Sequence, residues 1–342
     1  MMRAALLLCL AAPVWSQCSG DADKSLAFAD NALRQGNVDE AEQIVTRVRR
    51  ESPACSHALL LMGRVQAARH MTDQARESLA RYTQLEPGDA QGFEALAGFL
   101  AQTQDYSAAE QAVRKAVAIS PGSVSALLLE GEVLGRAGRE NDGEAQRAFE
   151  KACKVAPKNP APYFRLGLFF DSRGRRSEAV KSFRETVARD PENPTAWEYL
   201  ALNLEQSGQP DDAEGAYKNG LAVNRGARLD PSLPYHYGKL LLNRNRLAES
   251  KIHLDQAAAL SPDNGAVLYQ RARLYVRMEK YAEARADAER VLALPDPVRY
   301  TYDIQLYYLL ATIYGRSGEA QLAGKYAELA RQARPPDTGG VR

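Results

Sequence analysis

The sequence lacks the short motifs that mark most enzyme active sites. It contains no Cys-x-x-Cys pair, no glycine-rich phosphate loop, no nucleophile elbow and no protein-kinase signature. Its few histidines do not have the spacing of metal ligands in the sequence: His57, His70, His236 and His253. We therefore expect no catalytic residues, no metal and no cofactor, and interpret the chain as a non-enzymatic protein.

An excess of charge of either sign is also absent. Lys and Arg together number 44 and Asp and Glu together number 43, so the formal net charge at pH 7 is +1. A protein that binds nucleic acid through its general surface usually carries a clear basic surplus. We therefore expect no nucleic-acid partner.

Long hydrophobic runs are missing beyond the first residues. The apolar stretch Ala4–Ala12 follows Arg3 and is too short to span a membrane. Small residues, Val14 and Ser16, occupy the positions expected before a cleavage site. The pattern predicts a signal peptide over residues 1–16 and an exported, soluble protein that is periplasmic or secreted. A disordered or packed amino terminus is the alternative.

Cys18 lies in a short leader, residues 17–21, where lipid attachment has to be considered. A lipoprotein signal has a Leu-like residue three positions before the cysteine and a small residue directly before it. This chain has Trp15 and Gln17 at those positions. The sequence therefore favours a soluble protein over one with a lipid anchor on Cys18.

What the sequence does contain is a repeat of 34 residues. The clearest copy, residues 160–193, has two helical patterns of apolar residues separated by a turn at Gly174. If Gly167 is position 8, that position is small in every copy: Ala29, Gly63, Ala97, Gly131, Gly167, Ala201, Gly238, Ala272 and Ala311. Position 20 is equally small: Ala41, Ala75, Ala109, Ala145, Ala179, Ala213, Ser250, Ala284 and Ala323. Proline closes seven of the nine copies at position 32.

This pattern resembles the tetratricopeptide repeat (TPR) family, whose 34-residue helix–turn–helix unit has small residues at positions 8 and 20 and proline at position 32. The resemblance implies an all-α fold, an α-solenoid forming a right-handed superhelix of about nine repeats over residues 22–337. Residues 338–342 are predicted to be a tail. The predicted repeats lie near 22–55, 56–89, 90–123, 124–159, 160–193, 194–230, 231–264, 265–303 and 304–337.

In this family the first helices of the repeats line a concave groove, and positions 2, 5, 9, 12 and 13 tend to point into it. Position 5 is aromatic in four of the last five copies, and positions 9 and 13 bring basic and amide side chains. The resemblance thus implies an aromatic ladder beside a basic rail. The candidate site residues are Phe164, Tyr235, Lys239, Asn243, Tyr269, Arg273, Arg277, Tyr308 and Arg316.

Two functions fit such a groove. The first is a protein-interaction scaffold that binds an extended peptide or a partner's surface, since aromatic and Arg side chains dominate binding energy at interfaces. The basic rail would suit an acidic partner. The alternative is a glycan-handling module of a polysaccharide export or assembly system, because aromatic ladders also stack on sugar rings. It also stays open that the tyrosines pack within the superhelix and expose only their hydroxyls.

Two cysteines precede helices that should be neighbours. Cys18 lies before the first helix of repeat one, and Cys55 lies directly before the first helix of repeat two. In stacked helical hairpins those helix starts share one edge, so we predict a disulfide between them, as an oxidising compartment permits. Cys153, at position 28 of its repeat, is expected to be a buried small hydrophobic residue.

Overall fold

A computed structural model describes Cys18 and residues 20–226, 229–295 and 303–333. These residues contain eighteen α-helices and no strand, which confirms the prediction of an all-α helical-repeat solenoid. None of these helices is both long and apolar enough to cross a bilayer. The predicted signal peptide and tail lie outside the described residues.

The helices fall into two compact units that divide between Leu166 and Gly167. The first unit contains α1 (Gly20–Arg34), α2 (Val38–Glu51), α3 (Ser56–Ala68), α4 (Thr72–Leu85), α5 (Ala90–Gln102), α6 (Tyr106–Ile119), α7 (Val124–Ala137), α8 (Asp142–Val155) and the start of α9 (Pro160–Ser172). A short 3-10 turn, Arg139–Asn141, takes up the extra residues of the fourth repeat.

The second unit contains the end of α9 and nine further helices. They are α10 (Arg176–Arg189), α11 (Pro194–Gln206), α12 (Pro210–Val223), α13 (Ser232–Asn243), α14 (Leu247–Leu260), α15 (Gly265–Arg277), α16 (Tyr281–Ala293), α17 (Asp303–Arg316) and α18 (Ala320–Gln332). Within each unit, an odd-numbered helix packs against the even-numbered helix that follows it, and each such hairpin packs against the next.

A residue in the left-handed backbone conformation, with positive φ, ends the first helix of most hairpins. At Gly174, with φ of 71°, the amide of Gly174 donates to the carbonyl of Asp171, and the amide of Arg175 donates to that of Phe170. This pair of bonds satisfies carbonyls that the helix end would leave unpaired. Asn245 and Glu279 adopt the same backbone conformation in later hairpins, although they are not glycines.

A side-chain cap starts the next hairpin in several repeats. The Oδ1 atom of Asn193 accepts from the amide of Ala196 at the start of α11, and Asn264 caps α15 in the same way. Such caps satisfy amides that have no partner within the helix. The capping residue lies two positions after position 32, so the next hairpin begins at a fixed distance from the end of the one before it.

The small residues at positions 8 and 20 lie where the two helices of a hairpin meet. A Cβ added to Gly167 would lie only 2.6 Å from an atom of the Phe183 ring. Most alanines at these two positions are completely buried. Ser250 is the exception at position 20, and its buried hydroxyl donates to the carbonyl of Gly238 at 2.8 Å. The small residues that recur in the sequence are therefore those at which the two helices of a hairpin contact each other.

A disulfide joins Cys18 to Cys55 at the edge of the first unit, with their Cα atoms 4.7 Å apart. Cys55 is buried with Leu26, Ala58 and Met62, and Cys18 packs against the same apolar cluster. The bridge connects residues 37 positions apart in sequence. It therefore ties the residue before α1 to the residue before α3. Cys153 is a buried thiol outside this bridge.

We expect Gly167→Ala to lower the free energy of unfolding by about 1–2 kcal/mol, because the rigid Phe183 ring occupies the space of the new methyl group. Gly215→Ala is a matched control, since nothing lies within 4 Å of a Cβ at Gly215 in α12. The control should be neutral or stabilise by about 0.5–1 kcal/mol, as alanine favours helix. Urea unfolding followed by circular dichroism measures both. Equal effects of the two substitutions would contradict the close contact.

We expect a chain that begins at Gln17, denatured without reduction, to show one titratable thiol, which belongs to Cys153. Reduction should then lower the stability of the first unit by roughly 2–4 kcal/mol, because the open loop gains conformational entropy when unfolded. Thiol titration and thermal melts with and without reductant measure these results. Three titratable thiols in the unreduced chain would exclude the bridge.

Candidate functional site

Four first helices of the second unit lie side by side. Helix α13 contacts both α11 and α15, and α15 also contacts α17. We call the face formed by α11, α13, α15 and α17 the first-helix wall. Eight of the nine candidate residues belong to these helices. The ninth, Phe164, is half-buried in the part of α9 that belongs to the first unit.

Tyr235 of α13 is half-buried and packs against the apolar cluster of Leu242, Leu254 and Leu274. Burial raises the pKa of its hydroxyl, whereas Arg273 and a hydrogen bond from Gln270 lower it. The ring therefore contributes to the core of the second unit, and its hydroxyl interacts with the polar side chains Gln270 and Arg273 of α15.

The other two tyrosines of the wall differ in exposure. Tyr269 is half-buried against the core formed by α15 to α18, and burial raises its pKa while Arg273 lowers it. Tyr308 is 53% exposed on α17. Of the predicted aromatic ladder in this unit, one ring is thus largely open to solvent and two are partly packed.

Gln270 is a residue of this wall that sequence reasoning missed. It is buried, its side chain bonds the hydroxyl of Tyr235, and its Oε1 accepts from Nη1 of Arg273 at 2.8 Å. Gln270 follows Tyr269 directly, at position 6, which the groove pattern does not include. Only the packing of α15 on α13 reveals that it links the aromatic and basic side chains.

The basic residues of the wall have no carboxylate within salt-bridge distance among the residues that the structure describes. Arg273 bonds the Gln270 amide, and no ion pair is found for the remaining members in the described part: Lys239, Arg277 and Arg316. Asn243 is exposed beside them at the end of α13. These side chains thus leave positive charge uncompensated on one face.

Other arginines of the same unit are paired. Arg244 and Arg246 both donate to Glu214, and Arg271 makes a bidentate pair with Asp287 at 2.7 Å. Hydrogen bonds from Lys218 and Arg246 lower the pKa of Glu214 to about 2. Several arginines of this unit outside the wall therefore have acidic partners that the basic residues of the wall lack in the described part of the chain.

Arg277 has a structural role in addition. Its Nη1 donates to the carbonyl of Leu242 at 2.6 Å, and its Nη2 donates to Oδ1 of Asn245 at 2.8 Å. A cation at a helix carboxyl terminus is favourable because the last carbonyls carry partial negative charge. Arg277 therefore fastens α15 to the end of α13, and a substitution there would change packing as well as charge.

A buried polar cluster lies at the α11 end of the wall. Glu198 is 8% exposed, accepts from the hydroxyl of Ser232 at 2.8 Å and lies 3.5 Å from Nε2 of His236. Burial raises the pKa of Glu198 to about 7, and Asp230 adds to this shift. Burial and the charge of Lys239 lower the pKa of His236 to about 4.

In the first unit, a cavity of about 980 Å³ lies along α2, α3 and α4. Two pairs of its polar groups bond each other: Ser56 donates to Glu86 at 2.6 Å, and Ser78 donates to Gln66 at 2.8 Å. The first-helix wall is the stronger candidate, because it places cations that lack carboxylate partners among the described residues beside aromatic side chains on neighbouring helices.

The fold also brings together residues that sequence spacing did not connect. One ligating atom each from Cys18, Asp23 and His57 lies within 4.8 Å of the others. The expectation of no metal-ligand group rested on spacing along the chain, which does not register contacts between α1 and α3.

Three family models match the chain, each described as a tetratricopeptide repeat. They cover residues 32–98, then 128–194, 170–217 and 199–265, and finally 266–295. No sequence among curated proteins matches the chain.

Three solved structures are similar. A tetratricopeptide repeat protein from Parabacteroides merdae has 15% identity and a TM-score of 0.51, with 73% of this chain and 96% of that one covered. The pilF protein of Pseudomonas aeruginosa has 22% identity and a TM-score of 0.50, with 62% and 94% covered. The human IFIT1 dimer with m7Gppp-AAAA has 16% identity and a TM-score of 0.54, with 91% and 72% covered. At these identities the likeness concerns the fold alone.

The polar cluster predicts two opposite pH dependences. Folded Glu198 keeps its proton up to about pH 7 rather than its ordinary 4.5, so its contribution to stability is lost as pH rises through about 7. Folded His236 stays neutral down to about pH 4 rather than 6.5, so its contribution is lost as pH falls through about 4.

Relative to wild type, the melting temperature of Glu198→Gln should therefore rise as pH increases from 4.5 to 7. The melting temperature of His236→Gln, again relative to wild type, should rise as pH decreases from 6.5 to 4. Thermal melts across this range measure both differences, and unrelated titrating groups cancel in each comparison. Differences that do not vary with pH would show that neither group is buried as described.

Proposed function

The chain belongs to the tetratricopeptide repeat family, and we propose that it is a protein-interaction scaffold whose first-helix wall binds an acidic peptide or the acidic surface of a partner protein. The observation that carries this proposal is the set of basic side chains on the wall without carboxylate partners in the described part of the chain: Lys239, Arg273, Arg277 and Arg316. Elsewhere in the unit, Arg244, Arg246 and Arg271 are neutralised by Asp and Glu.

Electrostatics supports an acidic ligand. Exposed cations on one face attract an anionic partner over roughly 10 Å at moderate salt, which increases the rate of encounter. Lys239 and Arg273 are half-buried, so a carboxylate that reached them would be partly shielded from water. Such shielded, charge-assisted hydrogen bonds are stronger than those at an open surface.

Aromatic surface beside these cations supports a peptide. Tyr308 is 53% exposed, and Tyr235 and Tyr269 are held by the core while part of each ring remains accessible. A tyrosine that is already ordered loses little conformational entropy when a ligand packs on it. The wall therefore combines apolar contact with positive charge, as an acidic peptide with apolar residues requires.

A glycan is less well supported as the ligand. Stacking on sugars needs broad, open aromatic faces in a row, and among the three tyrosines of the wall only Tyr308 is largely exposed. A neutral glycan would also leave the basic side chains unpaired. A carboxylated glycan remains an outcome that the test below separates from a peptide.

We expect a fluorescently labelled oligoglutamate peptide to bind the chain more tightly than an oligolysine peptide, with an affinity that falls as salt increases. The double change Lys239→Glu and Arg273→Glu should weaken oligoglutamate at least about tenfold, because it replaces attraction by repulsion at two adjacent helices. Fluorescence anisotropy measures the affinities, and circular dichroism checks that the variant is folded.

Lys280→Glu is the matched control, since Lys280 is exposed just before α16 and does not belong to the wall. It should change the affinity less than about twofold. Equal weakening by Lys280→Glu would show that the peptide responds only to overall charge. Displacement of the peptide by alginate at lower concentration than by unlabelled oligoglutamate would favour the glycan, and neutral dextran should displace nothing.

A further inference from the structure

The disulfide at the edge of the first unit lies within a group of side chains that ligate metals. Cys18 precedes α1, and Asp23 lies in the first turn of that helix, whereas Cys55 caps α3 and His57 lies in its first turn. Ligating atoms of Cys18, Asp23 and His57 are within 4.8 Å of one another, and the sulfur of Cys55 is bonded to that of Cys18. Three ligating groups thus lie close together, and the sulfur of Cys55 lies beside them through its bond to Cys18.

We propose that reduction of the Cys18–Cys55 disulfide converts this cluster into a Zn²⁺ site. Its ligands are the two cysteine sulfurs, Nδ1 of His57 and a carboxylate oxygen of Asp23. In the oxidised chain neither sulfur is a thiolate, and the thiolate is the form that binds metal. The same residues therefore hold α1 and α3 together covalently when oxidised and through a metal ion when reduced.

One distance in the group is close to that between two ligands of a tetrahedral ion. The sulfur of Cys18 lies 3.8 Å from Nδ1 of His57. Two such ligands on tetrahedral zinc, at about 2.3 Å for sulfur and about 2.0 Å for nitrogen, are separated by about 3.6 Å. The two sulfurs must move apart to about 3.8 Å once their bond is broken. Cys18 is placed before the first helix, so its side chain can turn without disturbing helical hydrogen bonds.

The ligand types favour zinc over other common divalent ions. Two thiolates and an imidazole suit Zn²⁺, whereas Mg²⁺ and Ca²⁺ prefer sites made of oxygen ligands. Among the residues that the structure describes, Asp23 has no ion pair and His57 has no carboxylate within salt-bridge distance. Binding a metal would therefore not require either side chain to give up an existing ion pair.

The chemistry balances with a phosphine reductant. The phosphine attacks one sulfur, the S–S bond breaks, and water supplies the oxygen of the phosphine oxide and the two protons of the resulting thiols. The disulfide is reduced by two electrons and the phosphine is oxidised by two. When Zn²⁺ binds, both thiols lose their protons to solvent and the two thiolates become ligands.

The test uses the full chain, with Zn²⁺ binding measured by competition with a chromogenic chelator before and after phosphine reduction. We expect the reduced chain to bind one Zn²⁺ at least about tenfold more tightly than the oxidised chain does. Co²⁺ in place of Zn²⁺ should give sulfur-to-metal charge-transfer absorption in the reduced chain. Zn²⁺ should also raise the melting temperature of the reduced chain.

Variants of the reduced chain identify the ligands. His57→Ala should weaken Zn²⁺ at least about tenfold, and Cys18→Ser should bind no more tightly than the oxidised chain. His70→Ala and Cys153→Ser are controls, since His70 lies in the turn after α3 and Cys153 is buried in α8, and both should bind as wild type. Reduced chain that binds no more tightly than oxidised chain, or unchanged binding in His57→Ala, would overturn the proposal.

Discussion

The close approach of two helices within each hairpin is the contact on which the rest of the structure depends. Small residues at positions 8 and 20 allow it, and bulky neighbours such as Phe183 then fill the space beside a residue such as Gly167. Dispersion and apolar burial act only at this short range, so a larger residue would separate the helices along their length. Where serine replaces alanine, at Ser250, its hydroxyl bonds the facing carbonyl of Gly238 and the contact is kept.

This packing also decides what the first-helix wall can offer a ligand. Hairpins stacked in register bring equivalent positions of α13, α15 and α17 onto neighbouring helices, so side chains a whole repeat apart in sequence lie on one face. The stacking buries part of Tyr235 and Tyr269, and it places Gln270 between Tyr235 and Arg273. The wall is therefore partly core and partly surface, and its tyrosines are ordered before any partner arrives.

Charge is distributed unevenly over the second unit for the same reason. The hairpin turns bring Arg244 and Arg246 to Glu214 on the preceding hairpin, and Arg271 reaches Asp287 across its own hairpin. The wall has no such acidic neighbours for Lys239 in the described part of the chain. Its one buried carboxylate, Glu198, is held by Ser232 beside His236 at the α11 end and has its pKa raised by burial.

The sequence by itself determined the repeat, its helix–turn–helix unit and the helical class of the fold, because those follow from the period of small residues such as Gly167 and Ala179 and from local turns. Apart from the Cys18–Cys55 bridge, which the positions of the helix starts predicted, the pairing of side chains on different repeats was decided by the tertiary structure. How the helices stack determines the half-burial of Tyr235, the link through Gln270 and the grouping of Asp23 with His57. The repeat period shows which positions are equivalent, but it does not determine how deeply a side chain is buried or which side chains it contacts.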